Sequence, residues 1–252
     1  VIRTDAVATT TVDNTGTING SILGATVASD PLRSAGGVNQ FVFAGPSSID
    51  VHNRQGGNLN AGLLLDVRNL DNQGTLAVGG SNQIGTTRLT GDLRQSGDGR
   101  LMIDLDPRQP LDSEQGDRLI IDGSANLGGK VTVNLLDTWQ AVPGEQSLAI
   151  LTAGGGLTLG EQPLTQSAVA QYQLQQPISG ELRLTYDIDF ANAGITAQTN
   201  DNQDDVARYI HGIYLAGALD DAVARELIAI EDTAGYAQVM NSLGAEIAVD
   251  TQ

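Results

Sequence analysis

Asn72-Gln73-Gly74-Thr75-Leu76 runs from a polar amide through a turn glycine into the first apolar residue of a strand. The same form occurs at Asn14-Thr15-Gly16-Thr17-Ile18, Gln55-Gly56-Gly57-Asn58-Leu59 and Gly97-Asp98-Gly99-Arg100-Leu101, with a related turn at Leu127-Gly128-Gly129-Lys130-Val131. The spacing between the apolar residues is irregular, on a scale of roughly 20 to 30 residues, which is the length of a solenoid coil. Glycine and asparagine tolerate the left-handed backbone needed where a coil turns its corner. At a spacing of about 4.8 Å, stacked amides can hydrogen-bond to each other where stacked like charges would repel.

The segments between these turns alternate. Leu101, Ile103 and Leu105 share one face and Met102, Asp104 and Asp106 the other; Val131, Val133 and Leu135 alternate with Thr132, Asn134 and Leu136; Leu182, Leu184 and Tyr186 alternate with Arg183, Thr185 and Asp187. Period-2 alternation predicts half-buried strands. The expected fold is mainly β: a right-handed parallel β-helix over residues 1–88, with a β-sandwich as the alternative there. After Leu89 the strands lengthen, and Gly128-Gly129, Pro143-Gly144 and Ser179-Gly180 give hairpin-like turn signals. Residues 89–190 are therefore expected to form a hairpin-containing β cap over the solenoid's open end, whose unpaired backbone needs covering.

Beyond Phe190 the period becomes helical. Asn200 to Asp205 reads as an acidic linker containing N-cap residues. Val206, Tyr209, Ile210 and Ile213 then form a stripe; Asp220 can cap a second helix with Val223, Leu227 and Ile230 on one face; Thr233 can cap a third with Tyr236, Val239, Met240 and Leu243 aligned, weakened by Gly235 and Gly244. Residues 191–252 are thus expected to be short C-terminal α-helices. Helices this short are marginal alone, so their apolar stripes imply a partner surface, and disorder or self-association without one.

Thirty acidic residues against 13 basic ones give a formal charge of −17, which repels phosphate backbones, argues against nucleic-acid partners and disfavours anionic membrane surfaces. The absence of cysteine removes disulfides, thiol nucleophiles and cysteine zinc sites. No apolar run approaches the ~20 residues of a membrane helix. Val1-Ile2-Arg3-Thr4-Asp5 does not have the form of a signal peptide and reads as a strand entered midway, as if cut from a longer chain.

Several stretches, taken in order, resemble the C-terminal passenger module of bacterial autotransporters (type Va secretion), the autochaperone or junction region. They are Leu89-Thr90-Gly91-Asp92-Leu93-Arg94-Gln95, Leu101-Met102-Ile103-Asp104-Leu105-Asp106-Pro107 and Asp117-Arg118-Leu119-Ile120-Ile121-Asp122-Gly123-Ser124-Ala125. Lys130-Val131-Thr132-Val133, Leu148-Ala149-Ile150-Leu151-Thr152-Ala153 and Leu182-Arg183-Leu184-Thr185-Tyr186-Asp187 continue the series. Thr199-Asn200-Asp201-Asn202-Gln203 and Tyr236-Ala237-Gln238-Val239-Met240-Asn241-Ser242-Leu243-Gly244-Ala245-Glu246 resemble the family's linker before its outer-membrane barrel, although the linker's usual proline is absent and Gly244-Ala245-Glu246 stands for Ser-Gly-Glu. The resemblance implies a non-catalytic stem at the cell surface or in the extracellular space, anchored through an outer-membrane barrel and supporting passenger folding and export. It further implies display as an adhesin or virulence factor, with the chain's own translocator barrel and a host or bacterial surface glycan or protein as partners. The barrel itself is absent from this sequence, which holds no series of ten-residue amphipathic strands. The alternative is the stem of an enzyme: a glycan-active β-helix, or a protease or esterase whose catalytic part precedes Val1.

The sequence offers no catalytic, cofactor-binding or metal residue. Its two histidines, His52 and His211, read as a coil turn and a helix position. No His-Glu-x-x-His, Gly-x-Ser-x-Gly or Walker motif occurs, and Gly128-Gly129-Lys130-Val131 lacks the glycine spacing and the hydroxyl of a phosphate loop. Asp104 and Asp106 lie ~7 Å apart by strand rise, within the range of an inverting glycosidase pair. Without an aromatic sugar platform they read as a solvated outer face. Asp98-Gly99 with Asp104, or Asp201 with Asp204 and Asp205, lacks the spacing of a calcium loop.

Overall fold

The computed structural model describes residues 2–3, 9–24, 33–35, 38–40, 47–108, 115–138 and 140–249; the remainder of the opening stretch and the side chains from Ala245 onward lie outside the described residues. Among the described residues the protein is mainly β, with parallel and mixed sheets and four helices.

The chain begins with β1 (Ile2–Arg3), β2 (Thr10–Asn14) and β3 (Thr17–Leu23), followed by a small antiparallel pair, β4 (Arg33–Ala35) and β5 (Val38–Gln40). It returns through β6 (Ile49–Asn53) and the long β7 (Asn58–Asp66). Three passages of three strands follow: β8 (Asn69–Asn72), β9 (Thr75–Ala77) and β10 (Thr86–Leu89); β11 (Asp92–Gln95), β12 (Arg100–Leu105) and β13 (Arg118–Ile121); β14 (Ala125–Leu127), β15 (Lys130–Leu135) and β16 (Gln146–Ala153). The strands end with β17 (Leu157–Leu159), β18 (Ala170–Gln175) and β19 (Glu181–Ile188).

Strands β2, β6, β8, β11, β14 and β17 form a six-stranded sheet in which every pairing is parallel. The larger sheet divides at β7, where Asn58–Asn60 pair with β9 and Leu64–Leu65 with β10. One run continues β9-β12-β15 and the other β10-β13-β16, again in parallel. Each passage therefore lays its strands on those of the passage before. The apolar residues of the sequence motif are register partners: Ile18 with Leu59, Leu59 with Leu76, Leu76 with Leu101, and Leu101 with Val131. Leu59, Leu76, Leu101 and Val131 are all buried. Each such side chain removed from water stabilises the fold by roughly 1.5–3 kcal/mol.

A ladder of amides runs beside this column. Asn14 Nδ2 donates to Asn53 Oδ1 at 2.8 Å, Asn53 Nδ2 to Asn72 Oδ1 at 2.7 Å, and Asn72 Nδ2 to Gln95 Oε1 at 2.8 Å. Asn14, Asn53 and Asn72 each also donate to a backbone carbonyl of the next passage, as Asn53 does to Thr75 O at 2.9 Å. Gln95 ends the ladder by donating to Gly128 O at 2.7 Å, because Leu127 stands at the next register position. Beside it the chain turns so tightly that a methyl group on Gly74 would overlap Gly57 O, and one on Gly91 at another corner would overlap Arg68 O.

Parallel pairing continues past Leu89 without a break, since β11 joins β8 to β14 and β13 joins β10 to β16. Two of the three hairpin signals are corners or connections: Gly129 (φ 72°) turns the chain into β15, and Pro143-Gly144 precedes β16, which pairs in parallel with β13. Only Ser179-Gly180 forms a hairpin, between β18 and β19. A glycine in a left-handed turn serves either purpose, so turn chemistry alone did not separate them.

Candidate functional site

The end of the parallel run is sealed by a change of direction. β19 pairs antiparallel with β16, setting Leu148 against Leu184 and Leu151 against Leu182, and β18 pairs antiparallel with β19. Segment 163–165 covers the edge of β15: Val131 N donates to Pro163 O at 3.2 Å and Val133 N to Thr165 Oγ1 at 3.1 Å.

Four helices then pack against this seal: α1 (Ala193–Thr196), α2 (Asp201–Leu215), α3 (Asp221–Ile228) and α4 (Thr233–Val249). Asn200 and Gln203 form a reciprocal capping box, so Asp201–Asp205 is the first turn of α2 and not a linker. Asp220 caps α3 as its sequence predicts, whereas Asp232, not Thr233, receives the Gly235 amide of α4 at 2.7 Å.

The apolar faces that were expected to lack a partner are buried against β19 and the residues after it and against one another. Tyr186, Phe190, Tyr214, Tyr236 and Met240 are fully enclosed, with the Phe190 and Tyr214 rings 4.8 Å apart and tilted by 59°. Tyr209 and Val223 are the exceptions within the expected stripes: Ala207 and Tyr214 face inward with Ile210 on α2, and Ala224 and Ile228 with Leu227 on α3. Gly244 sits where α4 approaches Asn202 of α2; a side chain there would collide with the Asn202 amide.

Polar contacts fix the helices to the strand region. Asp221 Oδ1 accepts from Thr138 Oγ1 at 2.7 Å and Thr138 N at 2.9 Å. Those bonds, with Arg225 nearby, draw the Asp221 carboxyl down to about 2. Arg225 donates to Leu135 O and Leu136 O, both at 3.1 Å. Ser167 Oγ donates to Ile228 O at 2.6 Å, and Ala168 N to Ile230 O at 2.7 Å. The hydroxyls of Tyr186, Tyr214 and Tyr236 find no hydrogen-bond partner among the described residues, and burial raises all three above the ordinary tyrosine range.

A second feature is a polar groove of about 680 Å³ on the outer face of the six-stranded sheet. It includes His52, Asp71, Asp92, Arg94, Asn126 and Thr158. His52 Nδ1 lies 3.0 Å from Asp71, and Asp50 pairs with Arg68, which lowers the Asp50 carboxyl. Here His52 is a strand residue facing the groove. His211, on α2, lies 3.3 Å from Asp189.

Asp104 and Asp106 are not a solvated face. Asp104 is 1% exposed: it accepts from Gln83 N at 2.7 Å and from Asn134 Nδ2 at 2.6 Å. Asp117, also 1% exposed, accepts from Gly85 N and Asp104 N, both at 2.8 Å. Burial raises both carboxyls, Asp117 to about 8, with Asp104 adding repulsion. Together they clasp the segment between β9 and β10, which covers a strand face that alternation marked as outward. Asp106 is held by Arg108 at 2.9 Å, and Arg108 also reaches Asp137. Asp98 is exposed at the corner before β12, at the opposite end of that strand from Asp104. Arg208 sits beside Asp204 at 3.5 Å and Asp205 at 3.4 Å. Among the described residues no group of three His, Asp or Glu side chains is placed to hold a metal ion, and no helix is long and apolar enough to cross a membrane.

No protein-family model matches the chain, and no curated protein matches it.

Proposed function

We propose that this chain is the C-terminal part of a bacterial autotransporter passenger. On this reading the strand passages wind as a right-handed parallel β-helix. The β16-β19-β18 turn-back is the cap, and α2–α4 lead toward a translocator barrel. The task of the chain is to support passenger folding and outer-membrane export and to display the passenger at the cell surface, without catalysis of its own.

The observation that carries this proposal is the seal, in which a local antiparallel hairpin is laid across the last parallel strand through Leu182 and Leu184. Parallel passages pair residues far apart in sequence and close slowly, whereas a hairpin forms quickly and offers a finished edge for the preceding passage. The seam between cap and tail supports a second step. Three buried tyrosine hydroxyls lie there without a partner among the described residues, each costing roughly 1–3 kcal/mol, so the helices hold less tightly than their buried area implies. A tail that can leave the cap is what passage into a barrel requires.

The test places the chain between a secretion signal and an autotransporter barrel and measures protease accessibility at the surface of intact cells. Leu182→Asp and Leu184→Asp should stall the passenger while the barrel still inserts. Undiminished display of a passenger whose hairpin is disrupted would overturn the proposal.

A further inference from the structure

β18 ends the eleven-stranded sheet: one edge pairs with β19, and among the described residues no strand pairs with the other. Open edges are normally blunted by charge, proline or a bulge. β18 has none of these between Ala170 and Gln175, and no Asp, Glu, Lys or Arg occurs between Glu161 and Glu181. In a chain of charge −17, β18 itself offers a second copy no like charge, and its charged register partners on β19, Asp187 opposite Gln171 and Arg183 opposite Gln175, have opposite signs. Ile178, in the adjoining hairpin turn, is 62% exposed.

The order of residues along the edge is self-complementary. Gln171, Gln173 and Gln175 are exposed and alternate with half-buried Tyr172 and Leu174. An antiparallel pairing with its two-fold axis at Gln173 sets Gln171 opposite Gln175, Gln173 opposite its own copy, and Tyr172 opposite Leu174. Every amide then faces an amide and every apolar side chain faces an apolar one, as an isologous contact requires.

We infer that the free edge of β18 pairs antiparallel with β18 of a second copy of this chain, joining two sheets through a row of glutamines. This contact is independent of the export reading and uses none of the helix faces. One strand pair buries far less than the ~1,600 Å² of a standard interface, so the dimer is weak and forms with rising concentration.

Sedimentation velocity over a concentration series tests this, with engineered cysteines as the second measurement, since the chain has none of its own. The wild-type chain should pass from monomer to dimer, and Gln173→Lys, which sets two cations face to face on the axis, should stay monomeric. Opposed residues of an antiparallel pair have Cα atoms about 4.5–5.5 Å apart, within disulfide reach. Gln173→Cys should therefore link to itself on mild oxidation, and a mixture of Gln171→Cys with Gln175→Cys should link more than either alone. A chain that remains monomeric at every concentration would refute the proposal. So would a dimer that persists in Gln173→Lys, or an Asp98→Cys variant that links as readily as Gln173→Cys.

Discussion

Asn53 and Asn72, register partners on adjacent parallel strands, are joined through their buried side chains: Asn53 Nδ2 donates to Asn72 Oδ1 at 2.7 Å. Asn72 passes the pattern on to Gln95 at 2.8 Å, so one residue serves as acceptor for the passage before and donor for the passage after. Asn72→Ala would leave the Gln95 carbonyl without its donor and deprive Asn53 of one of its two acceptors. Orphaned buried polar groups cost roughly 1–3 kcal/mol each. The urea midpoint of Asn72→Ala should fall by an amount equivalent to about 2–3 kcal/mol, with little change in m-value. An unchanged midpoint would mean that the ladder contributes nothing to stability.

Gly91 has no room for a methyl group against Arg68 O and Val67 O, whereas Gly16 has open space around it. Gly91→Ala should cost roughly 1–3 kcal/mol by overpacking a corner, and Gly16→Ala should stay within about 0.5 kcal/mol of the parent. Thermal unfolding of the two variants side by side checks this; equal losses would show that the corners are not close-packed.

Asp221 holds the tail through its charged form. Its carboxyl lies at about 2 in the fold against an ordinary 3.8, so its contribution is complete above pH 3.8 and is lost as pH falls toward 2. Protection factors of residues 206–243 should drop over that interval, and less steeply in Asp221→Asn. Acid sensitivity that is identical in the variant would place the latch elsewhere.

Asp117 has the opposite sign. Burial raises it to about 8, so the fold favours its neutral form: stability is gained as pH falls from about 8 toward 3.8 and lost as pH rises across the same window. Protection of the Gly85 and Asp104 amides, which donate to Asp117, should be greater at pH 5 than at pH 9 after correction for intrinsic exchange. Greater protection at pH 9 would show that the two amides hold the carboxylate charged.

Tyr214→Phe removes a buried hydroxyl that has no partner among the described residues. The variant should be at least as stable as the parent, by up to about 1 kcal/mol, and its tail amides should exchange no faster. A loss of stability would reveal a hydrogen bond made by that hydroxyl.

The column Ile18, Leu59, Leu76, Leu101 and Val131 was legible because each member follows the same polar turn, and a turn of fixed geometry fixes which residue first enters the core. The amide ladder was legible only in part: stacked amides can hydrogen-bond, and Asn14 and Asn72 open their turn motifs, but Asn53 and Gln95 stand ahead of theirs, and only the register places them in the row. Asp104 was not, because alternation gives the face of a strand but not what is laid across that face, and the segment holding Gln83 and Gly85 covers it. The burial of the tail was equally hidden: helical periodicity identifies apolar faces without naming their partner, and the partner here is the β18–β19 hairpin and its neighbours, around Thr138, Ser167 and Phe190.

What the sequence determined by itself is therefore local and periodic: strand alternation, corner glycines, stacked amides, helix caps and an acidic surface. Each follows from backbone sterics or from the hydrogen-bonding capacity of residues close along the chain. The tertiary structure alone decided which carboxylates are buried, where parallel pairing gives way to antiparallel, and what the helices lie against. Those outcomes depend on contacts between residues far apart in sequence, whose energies are set by the space left once the other passages have packed.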